Sequence, residues 1–131
     1  MKKKYPLLRD PYDSENQYFE KNPHVAGMAT EDDRVIFNPH SSAIPNQSDS
    51  IYKNEASRIY MRKHGVRPDY ELTEDQNSRF KGYGTPQDIA ETIAGRGISG
   101  DESSGELTEN QKQFIKKLSN QMIRDGWLDA Q

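Results

Sequence analysis

Between residues 34 and 65 the chain switches once from a strand pattern to a helix pattern, and this limits the folds open to it. Arg34-Val35-Ile36-Phe37 is a short apolar run rich in strand formers, stopped by Asn38-Pro39. After a polar loop, Ile51, Tyr52, Ala56, Ile59 and Tyr60 recur at spacings of three and four, with Met61 beside them. That is one face of a helix. Ser48 and Asp49 are good N-caps for it, Gly65 ends it, and Pro68 enforces the stop.

The segments on either side complete an α+β, mostly α, expectation. Val25-Ala26-Gly27-Met28-Ala29 is apolar enough to pair with residues 34–38, and Thr30-Glu31-Asp32-Asp33 would close that small β-hairpin. Residues 1–22 show no sustained period and are broken by Pro6 and Pro11, so they read as an irregular, extended arm. Residues 23–131 then form the small, mainly helical domain. Thr73 and Thr108 each precede a glutamine by three residues, as N-caps of helices near 74–80 and 109–125, with Leu72 and Leu107 placed to staple the first turns. Thr85-Pro86 opens another helix, with Ile89, Ala90, Ile93 and Ala94 as its buried stripe. Phe114, Ile115, Leu118 and Met122 share one face of the last helix; Gly126 caps it, and Trp127-Leu128 fold back as a packing lid. The expectation is therefore three to four short helices.

The near-repeat Glu71-Leu72-Thr73-Glu74-Asp75-Gln76 and Glu106-Leu107-Thr108-Glu109-Asn110-Gln111, 35 residues apart, reflects two similar helix starts. Two copies do not make a solenoid, which needs about three repeats or more. Leu, Ile, Val and Phe together number 22 of 131 residues, which leaves a thin core. The formal charge of −3 is too small to hold the chain unfolded by repulsion. A thin core favours a protein that completes its burial against partners.

Several chemistries find no support. Cysteine is absent, which excludes disulfides and thiol catalysis. No apolar run reaches the length of a membrane span, so no membrane is expected as a partner. The run after Lys2-Lys3-Lys4 is too short for a secretion signal. Charges of both signs mix along the chain, which argues against nucleic acid. Gly95-Arg96-Gly97-Ile98-Ser99-Gly100 matches a dinucleotide pattern, but it follows a helix rather than a strand and reads as a flexible linker. Small metallopeptidases carry His-Glu-x-x-His on a helix placed like that of residues 48–64; here the frame is Asn54-Glu55-x-x-Arg58, without the zinc ligands. His24 and His40 sit in matching Asn-Pro-His triplets that the hairpin could bring together, but a metal would need a third ligand, and none stands out. No cofactor is expected.

The Asn22-Pro23-His24-Val25-Ala26-Gly27-Met28-Ala29 stretch, Val35-Ile36-Phe37-Asn38-Pro39-His40-Ser41, Asn54-Glu55-Ala56-Ser57-Arg58, the Ser99-Gly100-Asp101 turn and Leu107-Thr108-Glu109-x-Gln111 resemble small proteins of tailed phages, marine podovirus-like ones in particular. The resemblance runs from about Tyr12 onward and implies a phage origin. It carries no catalytic or binding residue onto this chain. The function expected is therefore a non-enzymatic, protein-binding accessory component of the virion: a capsid, tail or internal subunit whose partners are other virion proteins. The alternatives are a soluble phage factor that binds a host enzyme, and a degenerate metallopeptidase-like protein. Location would be the virion or the host cytoplasm. The arm rings Tyr5, Tyr12, Tyr18 and Phe19 are the candidate partner contacts, since aromatics dominate interface energetics.

Overall fold

The computed structural model describes residues 4–129. Among these, five helices and two strands follow in the order α1 (Asp13–Lys21), β1 (Gly27–Ala29), β2 (Val35–Phe37), α2 (Ser48–His64), α3 (Glu74–Arg79), α4 (Pro86–Ser99) and α5 (Glu109–Arg124), with a 3-10 turn at Glu102–Ser104 between the last two helices. The fold is α+β and mostly α. β1 and β2 pair antiparallel with Met28 opposite Ile36, as the hairpin reading requires.

Residues 1–22, expected as an extended arm, do not form one over the described part. Leu8 bridges Val35 in parallel, Arg9 N–H donates to Val35 O at 3.0 Å, and Val35 N–H donates to Leu7 O at 3.0 Å, so residues 7–9 line the edge of β2. Residues 13–21 are helical. The Glu15 carboxylate accepts the Tyr12 N–H at 2.7 Å, Asp13 and Glu15 sit in the first turn, and Lys21 sits in the last, in keeping with the helix dipole. The helix buries only Phe19, which is why no apolar period announced it.

The core has two parts. Val35, Tyr52, Ala56, Ile59, Tyr60, Met61, Ala94, Leu118, Met122 and Leu128 form the larger one, where β2, α2, α4 and α5 meet. Tyr70, Phe80, Ile89, Ala90 and Ile93 form the smaller, and Phe114 packs against both. α4 runs through the middle and does not stop at Ala94. Gly95 and Gly97, expected in a linker, are helical, and the chain turns only at Gly100 (φ +81°). They are small because their neighbours are close: a Cβ on Gly95 would collide with the Asn54 amide, and one on Gly97 with Ile115. Close approach of helices offsets the helix-forming weakness of glycine here.

Buried polar groups tie the parts together. Gln76 and Gln111, both fully buried, form a reciprocal amide pair, each Nε2 donating to the other's Oε1 at 2.7 Å. Each oxygen also accepts the N–H of its own N-cap threonine, Thr73 or Thr108, at 3.0 Å. The near-repeat is thus two helix starts joined face to face through their glutamines. Tyr52, 1% exposed, donates its hydroxyl to Trp127 O at 2.8 Å and accepts from Leu7 N–H at 3.3 Å. The Trp127 ring meets Tyr60 edge-on at 5.1 Å, and the Trp127 backbone N–H donates to Met122 O at 2.8 Å, which closes α5 as the lid reading requires.

Candidate functional site

The two Asn-Pro-His triplets do converge, but through asparagine. Asn38 is fully buried; its Nδ2 donates to Val25 O at 2.7 Å, to Asn22 O at 3.2 Å and to Phe19 O at 3.4 Å, while its Oδ1 accepts His40 N–H at 2.8 Å. This side chain fastens the end of α1 and the loop after it to β2. His24 and His40 remain exposed. Among the described residues, no group of three or more His, Cys, Asp or Glu is placed to share one metal ion.

Asn54 and Arg58 lie on the side of α2 that meets α4, with Glu55 next to Asn54 in the same turn. Arg58 Nη2 donates to Thr92 Oγ1 at 3.0 Å, and Thr92 Oγ1 donates to Asp88 O at 2.9 Å. Asn54 Oδ1 and Arg58 Nε are buried without a hydrogen-bond partner among the described residues. Burial pushes the Glu55 carboxyl upward, against the opposing pull of Arg58 and Arg62. Among the described residues no histidine hydrogen-bonds this carboxylate, and the seam reads as a polar joint between two helices.

The four arm rings separate into two pairs. Phe19 has no exposed surface and is corrected as a partner contact, whereas Tyr5 is partly buried, packed against Phe37 and Tyr52 with ring centroids 5.8 and 5.0 Å away. Tyr12 and Tyr18 are 60% and 48% exposed. Tyr12 is held rigidly for a surface residue. The Arg9 guanidinium lies 3.9 Å from its ring centroid, and the same guanidinium donates to both Glu15 oxygens at 2.8 and 2.9 Å and to Asp32 at 3.2 Å. Arg9 holds Glu15 below the usual carboxylate range, and with help from Thr30 it brings Asp32 down to about 2.

A second surface was not anticipated. A cleft of about 560 Å³ runs between residues 66–70 and α5, floored by Val66, Tyr70, Phe114 and Leu118 and walled by Arg67, Asp69, Lys117 and several amides. It continues over the solvent face of α5, where Lys112, Lys116, Lys117 and Arg124 are exposed. The mixing of charge signs along the chain stops here: residues 110–124 contain no acid. That gap is legible in the sequence; what the fold adds is that all four cations are exposed on α5, spread around its outer side.

Comparison with known proteins returns no match: no family model, curated protein or solved structure is significantly similar to this chain. Among the described residues, no helix is long and apolar enough to cross a membrane.

Proposed function

We propose that this protein is a non-enzymatic binding subunit that docks on other proteins, and that it serves as an accessory component of a tailed-phage particle. The observation that carries the docking part is the exposed tyrosine pair on α1. Tyr12 and Tyr18 are large and about half exposed, one at the N-cap and one within a helix whose start is clamped by Arg9, Glu15 and Asp32. Tyrosine presents a wide contact area with few rotatable bonds, so a held tyrosine loses little entropy on docking. The phage setting rests on the resemblance of the Asn-Pro-His and Leu-Thr-Glu-x-Gln stretches.

The test is to purify particles from the infected source cells and quantify this chain by mass spectrometry against the major capsid protein. A fixed ratio for the wild type, lost on Tyr12→Ser with Tyr18→Ser, is the expected result. Each hot-spot truncation of this kind costs about 2 kcal/mol, roughly thirtyfold in affinity. Absence from particles, with recovery bound to one host enzyme, would overturn the virion reading in favour of a host-directed factor.

A further inference from the structure

We infer that the solvent face of α5 binds the phosphate backbone of double-helical nucleic acid. Lys116, Lys117 and Arg124 lie on the side of α5 away from the buried Leu118 and Met122, and Lys112 is exposed on its flank. Lys112 and Lys116 are four residues apart, and Lys117 lies one turn of the same face from Gln113 and Gln121. From Lys112 to Arg124 the helix rises about 18 Å, which spans several phosphates of a duplex. Among the described residues, no carboxylate lies within ion-pair distance of Lys112, Lys116 or Lys117, and Arg124 reaches only its neighbour Asp125, at 3.5 Å. Between the cations stand Gln113, Asn120 and Gln121, the amides that accompany lysine and arginine in phosphate contacts. In a chain of net charge −3 this is a strong local departure. Asp101, Glu102 and Glu106 line the groove beside Lys112 and mark where the basic face ends.

The make-up of the face selects among anionic partners. Protein interfaces are poor in lysine and rich in aromatic anchors. The large exposed hydrophobics of the described residues are Tyr12, Tyr18 and Tyr83, none of them on α5. The same lack of exposed rings disfavours single strands, which are held largely by stacking. A membrane surface would need an apolar side to insert, and the apolar side of α5 is already in the core. What remains suited to the face is a regular array of phosphates.

The experiment uses the full chain and a fluorescent 24-base-pair DNA duplex of arbitrary sequence, followed by anisotropy from 50 to 200 mM salt. Four phosphate contacts give a slope of log K against log salt of about −3.6, and roughly a 150-fold loss of affinity over that range. Lys116→Gln with Lys117→Gln should bring the slope to about −2 and weaken binding at least tenfold at 50 mM, with the circular dichroism spectrum unchanged. Lys21→Gln with Lys81→Gln, exposed elsewhere, should leave both slope and affinity as in the wild type. No binding to the duplex at 50 mM overturns the inference. So does equal loss on the two double substitutions. Displacement of the duplex by poly-glutamate at equal charge concentration would make the face an acidic-protein site and overturns it too.

Discussion

The paired glutamines give the sharpest test of how this small core is held. In Gln111→Glu the shape is kept and one nitrogen becomes oxygen. Gln111 Oε1 still accepts from Thr108 N–H and from Gln76 Nε2, but the atom that donated to Gln76 Oε1 at 2.7 Å and to Glu71 O at 3.0 Å becomes an acceptor facing two acceptors. Two bonds are lost inside a fully buried pair. At about 1–3 kcal/mol for each group left unsatisfied, the expected cost at pH 7 is about 4 kcal/mol. Gln76→Glu loses only one, because Gln76 Nε2 donates to Gln111 Oε1 alone, so it should cost about 1–2 kcal/mol less. The deficit has a pH signature. Burial among acceptors raises the folded pKa of the new carboxyl above its unfolded value of about 4.3. The ionisation part of the deficit is therefore absent below pH 4 and grows as pH rises toward the folded pKa, by about 1.4 kcal/mol per unit. Urea unfolding followed by Trp127 fluorescence, variant against wild type at pH 4 and at pH 7, measures both effects. A Gln111→Glu cost below about 1 kcal/mol at pH 7, a cost independent of pH, or a larger cost for Gln76→Glu would refute the account.

Asn38→Ala removes donors to three backbone carbonyls and the acceptor for His40 N–H. It should cost about 2–4 kcal/mol in urea unfolding, with α1 exchanging its amide hydrogens faster than α2. Glu15 and Asp32 both ionise more readily in the folded state, chiefly through Arg9. Their contribution is therefore present above the ordinary carboxylate range and lost as pH falls from about 4 toward 2. Arg9→Gln should be less stable than wild type at pH 6, and the gap should narrow on acidification; a constant gap from pH 6 to pH 2 would count against the clamp.

The elements legible in the sequence are those whose determinants lie close together along the chain. α3, α4 and α5 begin where Thr73, Thr85 and Thr108 stand, because an N-cap acts within one turn. α2 carried enough apolar residues to show its period, and Gly65 closed it with φ +64°. α1 was missed because its one buried residue is Phe19, and the clamp on its start reaches Asp32, on the hairpin turn. In the sequence Gly95 and Gly97 read as a flexible linker because glycine weakens a helix in isolation; packing against Asn54 and Ile115 reverses that. The near-repeat did signal Gln76 and Gln111, yet only as caps: their union across 35 residues is a tertiary fact. Of the candidate contacts, nothing local distinguishes Tyr12 and Tyr18 from Tyr5 and Phe19. Which ring faces inward is set by Phe37, Tyr52 and Asn38, all far along the chain.

One phenol sits between the two ends of the described chain, and it serves them with opposite polarity. Tyr52 gives its proton to Trp127 O and takes one from Leu7 N–H. Desolvation by burial pushes this hydroxyl up to about 12. Chain ends ordinarily fray independently. Here loosening one end strips a partner from the hydroxyl that restrains the other, so their opening is coupled. Strong alkali uncouples them in a fixed order: a phenolate can no longer donate, so residue 127 is released first, while the bond from Leu7 becomes charge-assisted and tightens.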